Sequence, residues 1–448
     1  MLTGLDLSPL AIVLIMFGGL LIGVLLGYPL FYSLGAVALL VGVVTLGPGV
    51  FKILHLRVLG QLYNYTFLAV PLFVFMGIMV EKSGAAEKLY DGILMTFGGL
   101  RGGLAIGTIL MGTVLAACVG VVAASVTTMA LIAAPTMLKR GYSKELVAGS
   151  VCAGGTLGIL IPPSIMLVIY GPMAQISVGK LFMAAFMPGF LLSGLYILYI
   201  VVVCMLRPQM APVLGAEERA IPLATKLIGL TKGLLPPLFI ILAVLGTIFF
   251  GIATPTEAAA VGCVAATLLS VIYKRFSISM LKDASRDTLK IGAMAMAVGL
   301  GASMFTGVFL RLGGGDAVSA LILGAPGGKW GVFALIMFMI FILGMFIDWI
   351  GILFVMIPLV SPIGEALGFD PLWFAMMLCV NLQMSFLTPP FAYAIFYLKG
   401  LAPPEWGLET GHIIRGVIPF VIIIMIGMAL CIIFPDIILW LPHLMIKF

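Results

Sequence analysis

The sequence is short of charge. Of 448 residues only 9% are Asp, Glu, Lys or Arg, against 63% hydrophobic. A soluble domain carries about 25% charged residues, so this chain cannot clothe a water-facing globule. Histidine is scarce too: His55, His412 and His443 are scattered, with no metal-ligand spacing. The six cysteines (Cys118, Cys152, Cys204, Cys263, Cys379 and Cys431) fall inside apolar stretches and read as buried thiols rather than bridges or ligands. No His-Glu-x-x-His pattern, no phosphate-cradling Gly-Lys-Ser/Thr loop and no His near a Ser or Cys in an apolar block occurs. A soluble enzyme, a nucleic-acid binder and a disulfide scaffold are excluded, and neither a catalytic set nor a cofactor is expected. Before the first apolar run stands Asp6 but no Lys or Arg, so a cleaved secretory signal is not expected.

What is present is apolar length. A spanning helix takes about 20 apolar residues, and the supply is enough for roughly a dozen. The expectation is an all-α polytopic membrane protein. Fifty-five glycines and 26 prolines are many for plain spanning helices and point to helices that break.

Residues 1–65 hold two helices turning at Gly27-Tyr28-Pro29, then an amphipathic piece with Lys52, His55 and Arg57. A first repeat is read over 66–206, with a short hairpin at about 104–138 and a broken helix at about 146–172. A connector, 207–290, carries two spans at about 234–250 and 257–273, joined by Thr254-Pro255-Thr256-Glu257. There Thr254 is the expected N-cap and Glu257 the third helical residue, so the spacing favours a capping box over an ion site for Glu257. A second repeat follows over 291–435, with a hairpin at about 331–362 and a broken helix at about 372–398. The tail, 436–448, carries Trp440 and reads as interfacial.

The repeat rests on one shift. Moving the chain by 227 residues lays Pro135 on Pro362, Gly141 on Gly368, Pro162-Pro163 on Pro389-Pro390, and Tyr170 on Tyr397. Single matches are cheap in so biased a sequence, but a common offset is not. The turn after the first hairpin holds Lys139, Arg140 and Lys144 against Glu145, whereas its counterpart holds Glu365 and Asp370 with no Lys or Arg. By the positive-inside rule the first turn faces the cytoplasm and the second the outside. The connectors agree: 207–232 has four basic and two acidic residues, and 274–290 has five and two. Lys52 and Arg57 fall outside in this scheme, the one loop that strains it. Inverted repeats of this kind are typical of secondary transporters.

Each broken segment passes through a proline pair, GGTLGILIPPS at 154–164 and NLQMSFLTPPF at 381–391. A proline pair removes two backbone donors and frees carbonyls one turn upstream. Irregular backbone at membrane depth survives only inside protein or beside a watery cavity. Freed carbonyls, with oxygens of Thr156, Ser164, Asn381, Ser385 and Thr388, suit a hard cation such as Na⁺. The following half-helices aim positive N-termini at the break, where a carboxylate is favoured. The plain alternative, a kink satisfied by neighbours, is weakened by the two matched copies. The hairpins are expected to be re-entrant, with tips at 118–128 and near 344–352. Asp348 in the second tip is an ionisable group deep in apolar sequence, and such groups are functional suspects. It is also placed to be an N-cap, and the two roles are compatible.

The run GYSKELVAGSVCAGGTLGILIPPSIMLVIYG (141–171) resembles the large membrane subunit of tripartite ATP-independent periplasmic (TRAP) transporters. PLFVFMGIMVEKSG (71–84), GIATPTEAAAVG (251–262), the Asp348 hairpin and the second Thr-Pro-Pro segment are similar to that family as well. The resemblance covers nearly the whole chain. It implies an elevator-type sodium symporter of the bacterial inner membrane, in which 1–65 and the helices of 207–290 belong to the scaffold. It further implies a small four-helix membrane subunit, expected as a separate polypeptide, and a periplasmic binding protein that delivers an organic acid. Carried over by position, the Na⁺ and substrate residues are Gly120, Ser125, Gly154, Thr156, Pro162 and Pro163, with Asp348, Asn381, Thr388, Pro389 and Pro390 in the second copy. The first tip departs from the family. Many members read Ser-Gly-Ser-Ser and then Ala-Asp, whereas this chain reads Val119-Gly120-Val121-Val122-Ala123-Ala124-Ser125, with Ser125 at the place of the Asp. A self-sufficient sodium/carboxylate symporter is the alternative, and a passive channel is disfavoured because the polar groups cluster at two breaks.

Overall fold

An apolar chain in a bilayer has to pair its backbone polar groups internally, and without strand alternation helices are the answer. The computed structural model describes residues 7–213 and 222–445, and every regular element among them is a helix. Part of the charged connector (214–221) and the two ends of the chain, including the last residues of the interfacial tail, lie outside the described residues. Among the described residues nine helical stretches are long and apolar enough to cross a membrane.

The first half runs α1 (Pro9–Leu25), α2 (Leu30–Leu46), α3 (Val50–Leu62), α4 (Ala69–Lys82), α5 (Ala85–Phe97), α6 (Gly103–Val119), α7 (Val122–Lys139), α8 (Lys144–Thr156), α9 (Ile165–Ala174) and α10 (Val178–Leu206). The second runs α11 (Leu223–Phe249), α12 (Pro255–Ile272), α13 (Ile278–Arg311), α14 (Gly314–Leu323), α15 (Gly328–Gly344), α16 (Trp349–Ala366), α17 (Pro371–Leu387), α18 (Tyr393–Leu401), α19 (Thr410–Ile433) and α20 (Asp436–Met445).

Two charged stretches are helical. Residues 81–103 contain α5, set off by left-handed glycines, Gly84 at φ +80° and Gly102 at φ +75°. The stretch 274–290 is largely the start of α13, where the Ser277 hydroxyl accepts from the Met280 N–H at 3.0 Å. At 1.5 Å per residue α13 is about 50 Å long, more than a hydrocarbon core of about 30 Å. Its charged first turns therefore extend beyond the apolar layer, where Asp287 meets Lys82 at 3.5 Å.

Helix bounds recur at the 227-residue shift. It carries α7 onto α16 end for end, and α9 onto α18 to within a residue. Gly141 and Gly368 both turn left-handed, at φ +78° and +72°. The cap two residues later recurs as well: Ser143 accepts from the Leu146 N–H, and Asp370 from the Leu372 and Trp373 N–H groups. At the same shift α2 falls on α12 to within two residues at either end.

Packing between the halves follows the same exchange. Helix α4 packs on α12, and its counterpart α13 packs on α2. Helix α5 packs on α11, and α14 on α1. Helix α9 packs on α16, and α18 on α7. Lipid is as apolar as leucine, so such contacts rely on close approach at small residues. On the α8–α19 crossing, a Cβ on Gly149 would strike the carbonyl of Gly416, and one on Gly416 the carbonyl of Glu145.

Candidate functional site

The first tip is the link between α6 and α7. Gly120 ends α6 in the left-handed region, at φ +65°. A Cβ there would lie 3.3 Å from the carbonyl of Pro163 and 3.6 Å from the amide of Ile165, so the tip rests on the first break. Ser125, one turn into α7, is fully buried, and its hydroxyl has no hydrogen-bond partner within the protein. It faces Gly158, whose Cβ would stand 3.0 Å from the Ser125 Oγ.

The first break begins where α8 ends at Thr156. A short 3-10 turn, Leu157–Ile159, leads to the cis Pro162-Pro163 bond before α9 starts. The Thr156 hydroxyl donates to the Ala153 carbonyl at 2.9 Å, and that of Ser164 to the Ile159 carbonyl. A hydroxyl that donates its hydrogen keeps lone pairs for a cation. Gly154 is hemmed in, since a Cβ would sit 3.4 Å from the Thr108 carbonyl. The close approach of α6 to α8 rests on Gly112, where a Cβ would stand 2.8 Å from the Gly154 carbonyl.

The second tip comprises residues 345–348 between α15 and α16. Asp348 occupies the N-cap position of α16 in extended backbone, but its side chain makes no capping hydrogen bond. Its carboxylate lies at the Tyr393 phenol and near the Trp349 and Ile350 amides. The second break follows α17: Thr388 donates to the Met384 carbonyl at 2.7 Å, and Pro389-Pro390 is cis. Beyond it the Phe391 N–H donates to the Met345 carbonyl at 3.1 Å, which ties this break to its own tip. Asn381 donates from Nδ2 to the Met337 carbonyl at 2.8 Å, leaving Oδ1 as an acceptor. Ser385 reaches the Phe341 carbonyl at 3.3 Å.

Each tip thus meets the break of its own copy. Gly120 adjoins Pro163, and the Asp348 tip adjoins Phe391 and Tyr393. The two groups are linked because α9 leans on α16 and α18 on α7. Asn381 sits deeper along α17, against α15, rather than in the tip. The copies differ in exposure: Pro162 and Pro163 are buried, whereas Pro389 and Pro390 are exposed and Phe391 is 50% exposed.

The family model described as "Tripartite ATP-independent periplasmic transporter, DctM component" matches residues 14–437. The chain belongs to that family. It is a large membrane subunit of a TRAP transporter, a multi-pass protein of the bacterial inner membrane. It is 30% identical to the C4-dicarboxylate TRAP transporter large permease protein DctM of Pseudomonas aeruginosa, over 85% of this chain and 87% of that one. It is 28% identical to the sialic acid TRAP large permease SiaM of Vibrio cholerae, over 94% and 96%. The ectoine TRAP large permease TeaC of Halomonas elongata is 28% identical over the same shares. Among solved structures, the Alcanivorax borkumensis YdaH transporter superposes with a TM-score of 0.62 at 16% identity, covering 95% of this chain and 98% of that one. That likeness is one of fold.

Within this TRAP subunit, sequence reasoning passed over two groups at the tips and breaks. Tyr393 stands at Asp348. Gln383 is fully buried with neither amide atom hydrogen-bonded in the protein, and the 227 shift places it on Thr156. The shift could have found Gln383. Nothing in the sequence marked Tyr393, because its place at Asp348 is set by how the second break folds back. Among the described residues no group of three or more His, Cys, Asp or Glu gathers as a metal site, so a cation here would rely on neutral oxygens and the lone Asp348.

Proposed function

We propose that this subunit couples inward Na⁺ flow to uptake of a carboxylate-bearing organic acid, delivered by a periplasmic binding protein. The small four-helix TRAP subunit is its membrane partner. The observation that carries the reading is the paired arrangement of tips and breaks, each tip on its own break and the halves exchanged in their packing. Such an exchange is what a two-fold relation between repeats produces. Taken with the charge bias of the loops, it supports inverted repeats in the membrane.

The donor set fits Na⁺. Hydroxyls of Ser125 and Thr156, the free Oδ1 of Asn381, the Thr388 hydroxyl and the Asp348 carboxylate are hard oxygens, joined by backbone near Gly120, Gly154, Pro162, Pro163, Pro389 and Pro390. Na⁺ supplies charge at the tips, and a solute carboxylate is then favoured beside the half-helix N-termini of α9 and α18. The unequal exposure of the two breaks supports an elevator-type cycle, in which this conformation is one end state and the other reverses the exposure. Coupling is then the free-energy difference that Na⁺ makes between the two states.

Uptake into proteoliposomes tests the reading. The chain and its small subunit are reconstituted, and candidate organic acids are offered with and without an inward Na⁺ gradient and the binding protein. Uptake that needs both supports the proposal. Uptake with Na⁺ alone makes the chain a self-sufficient symporter, and flux indifferent to the gradient overturns coupling.

A further inference from the structure

Between α5 and α11 lies a cavity of about 480 Å³ that the transport reading leaves unused. Lys88, Asp91, Gly92 and Met95 follow one another at helical spacing along one face of α5. Gly229, Lys232, Gly233 and Pro236 do the same on α11. The glycines bring the helices together: a Cβ on Gly92 would lie 2.7 Å from the Gly229 carbonyl, and one on Gly233 2.6 Å from that of Lys88.

The mouth of the cavity is charged, with Lys88, Lys232 and Asp91 all exposed. Tyr273, just past α12, closes one side. Its ring lies 3.4 Å from the Lys88 ammonium, and its hydroxyl donates to the Lys232 carbonyl at 3.4 Å. That carbonyl is free because Pro236, four residues on, has no N–H to give it. The neighbouring Arg275 is already held by Glu87 at 3.1 Å. Beside the charges, Met95 and Leu235 are 37% and 56% exposed and form an apolar lip.

We propose that this cavity seats one aminophospholipid. The phosphate lies between Lys88 and Lys232, the ammonium on Asp91, and the acyl chains over Met95 and Leu235. The volume suits a headgroup, and basic pockets between membrane helices are a known kind of headgroup seat. Charges of both signs at one mouth match a zwitterion with a free amine better than a purely anionic lipid, and the apolar lip favours a lipid over a soluble phosphate.

Native mass spectrometry of the detergent-solubilised full chain tests this. Phosphatidylethanolamine, phosphatidylcholine and phosphatidylglycerol with identical acyl chains are titrated separately. Phosphatidylethanolamine is expected to be retained about tenfold better than phosphatidylcholine, whose methylated amine cannot donate to Asp91. Asp91→Asn should erase that preference, and Lys88→Gln with Lys232→Gln should lower retention of all three lipids about tenfold. These side chains are exposed, so an unchanged size-exclusion profile certifies the fold. Equal retention of the three lipids, or a preference that survives Asp91→Asn, overturns the proposal. So does displacement by an equal concentration of soluble glycerophosphoethanolamine. The readout involves no transport, so its failure leaves the transport reading untouched.

Discussion

The hydroxyl of Thr306 in α13 donates to the backbone carbonyl of Phe354 in α16, with 3.3 Å between the oxygens. Pro358 lies four residues further along α16 and has no N–H to offer that carbonyl. Thr306 supplies from one helix the donor that proline withholds in another, and so fastens α13 to the arm behind the Asp348 tip. Both residues are buried, so the acceptor has no water to turn to.

Thr306→Val keeps the shape and removes the donor. It is expected to destabilise the protein by about 1–2 kcal/mol, read as a lower unfolding midpoint in detergent, and Thr306→Ser should restore it. A valine variant as stable as the original would show that the bond contributes nothing.

The α8–α19 crossing depends on two glycines. A side chain at Gly149 or Gly416 meets backbone carbonyls, which cannot swing aside as a flexible side chain can. Gly149→Val is expected to cost about 3 kcal/mol or more and to collapse the monodisperse yield. Gly194 in α10 has nothing within 4 Å of a built Cβ, so Gly194→Ala should be neutral or slightly stabilising. Equal behaviour of the two variants would refute close approach as the reason for Gly149.

Much of this was legible in the sequence because the signals are local or repeated. The capping residues, the proline pairs and the 227 shift need no tertiary knowledge, and the turn at Gly27-Tyr28-Pro29 does separate α1 from α2. The charged stretches at 81–103 and 274–290 were less readable. At 274–290 a helix longer than the apolar layer carries the charges without breaking, whereas 81–103 holds a short helix of its own between two left-handed glycines. The overlap of α2 with α12 was hidden as well, since few residue identities survive there and only bounds and contacts recur. Tyr393 at Asp348 and the exchange of α9 and α18 between halves are long-range facts that no local pattern encodes.

Glu257 illustrates a local signal read correctly. Its carboxylate accepts from the Thr254 N–H at 2.7 Å and from the Thr254 hydroxyl at 2.8 Å, while the Glu257 N–H returns a bond to that hydroxyl at 3.4 Å. Thr254→Ala is therefore expected to cost about 1 kcal/mol. Glu257→Gln should keep both the box and solute uptake. Lost uptake at unchanged stability would instead assign Glu257 to ion binding.

Asp348 is the opposite case: it has the position of a cap without the bond of one. What its carboxylate does face is the Tyr393 phenol and the Trp349 and Ile350 amides, and a carboxylate in an apolar tip is costly unless something uses its charge. Asp348→Ala removes that acceptor and is expected to lower stability by about 1–2 kcal/mol while the subunit still assembles. Na⁺-driven uptake should fall by about 5–150-fold, the range of a typical coupling free energy. The decisive comparison is Asp348→Asn, which is isosteric and retains an oxygen but not the charge. If Asn behaves like Ala, it is the charge at the tip that counts. Were Asp348→Ala to take up solute normally, the second tip would have to act through backbone and Tyr393 alone.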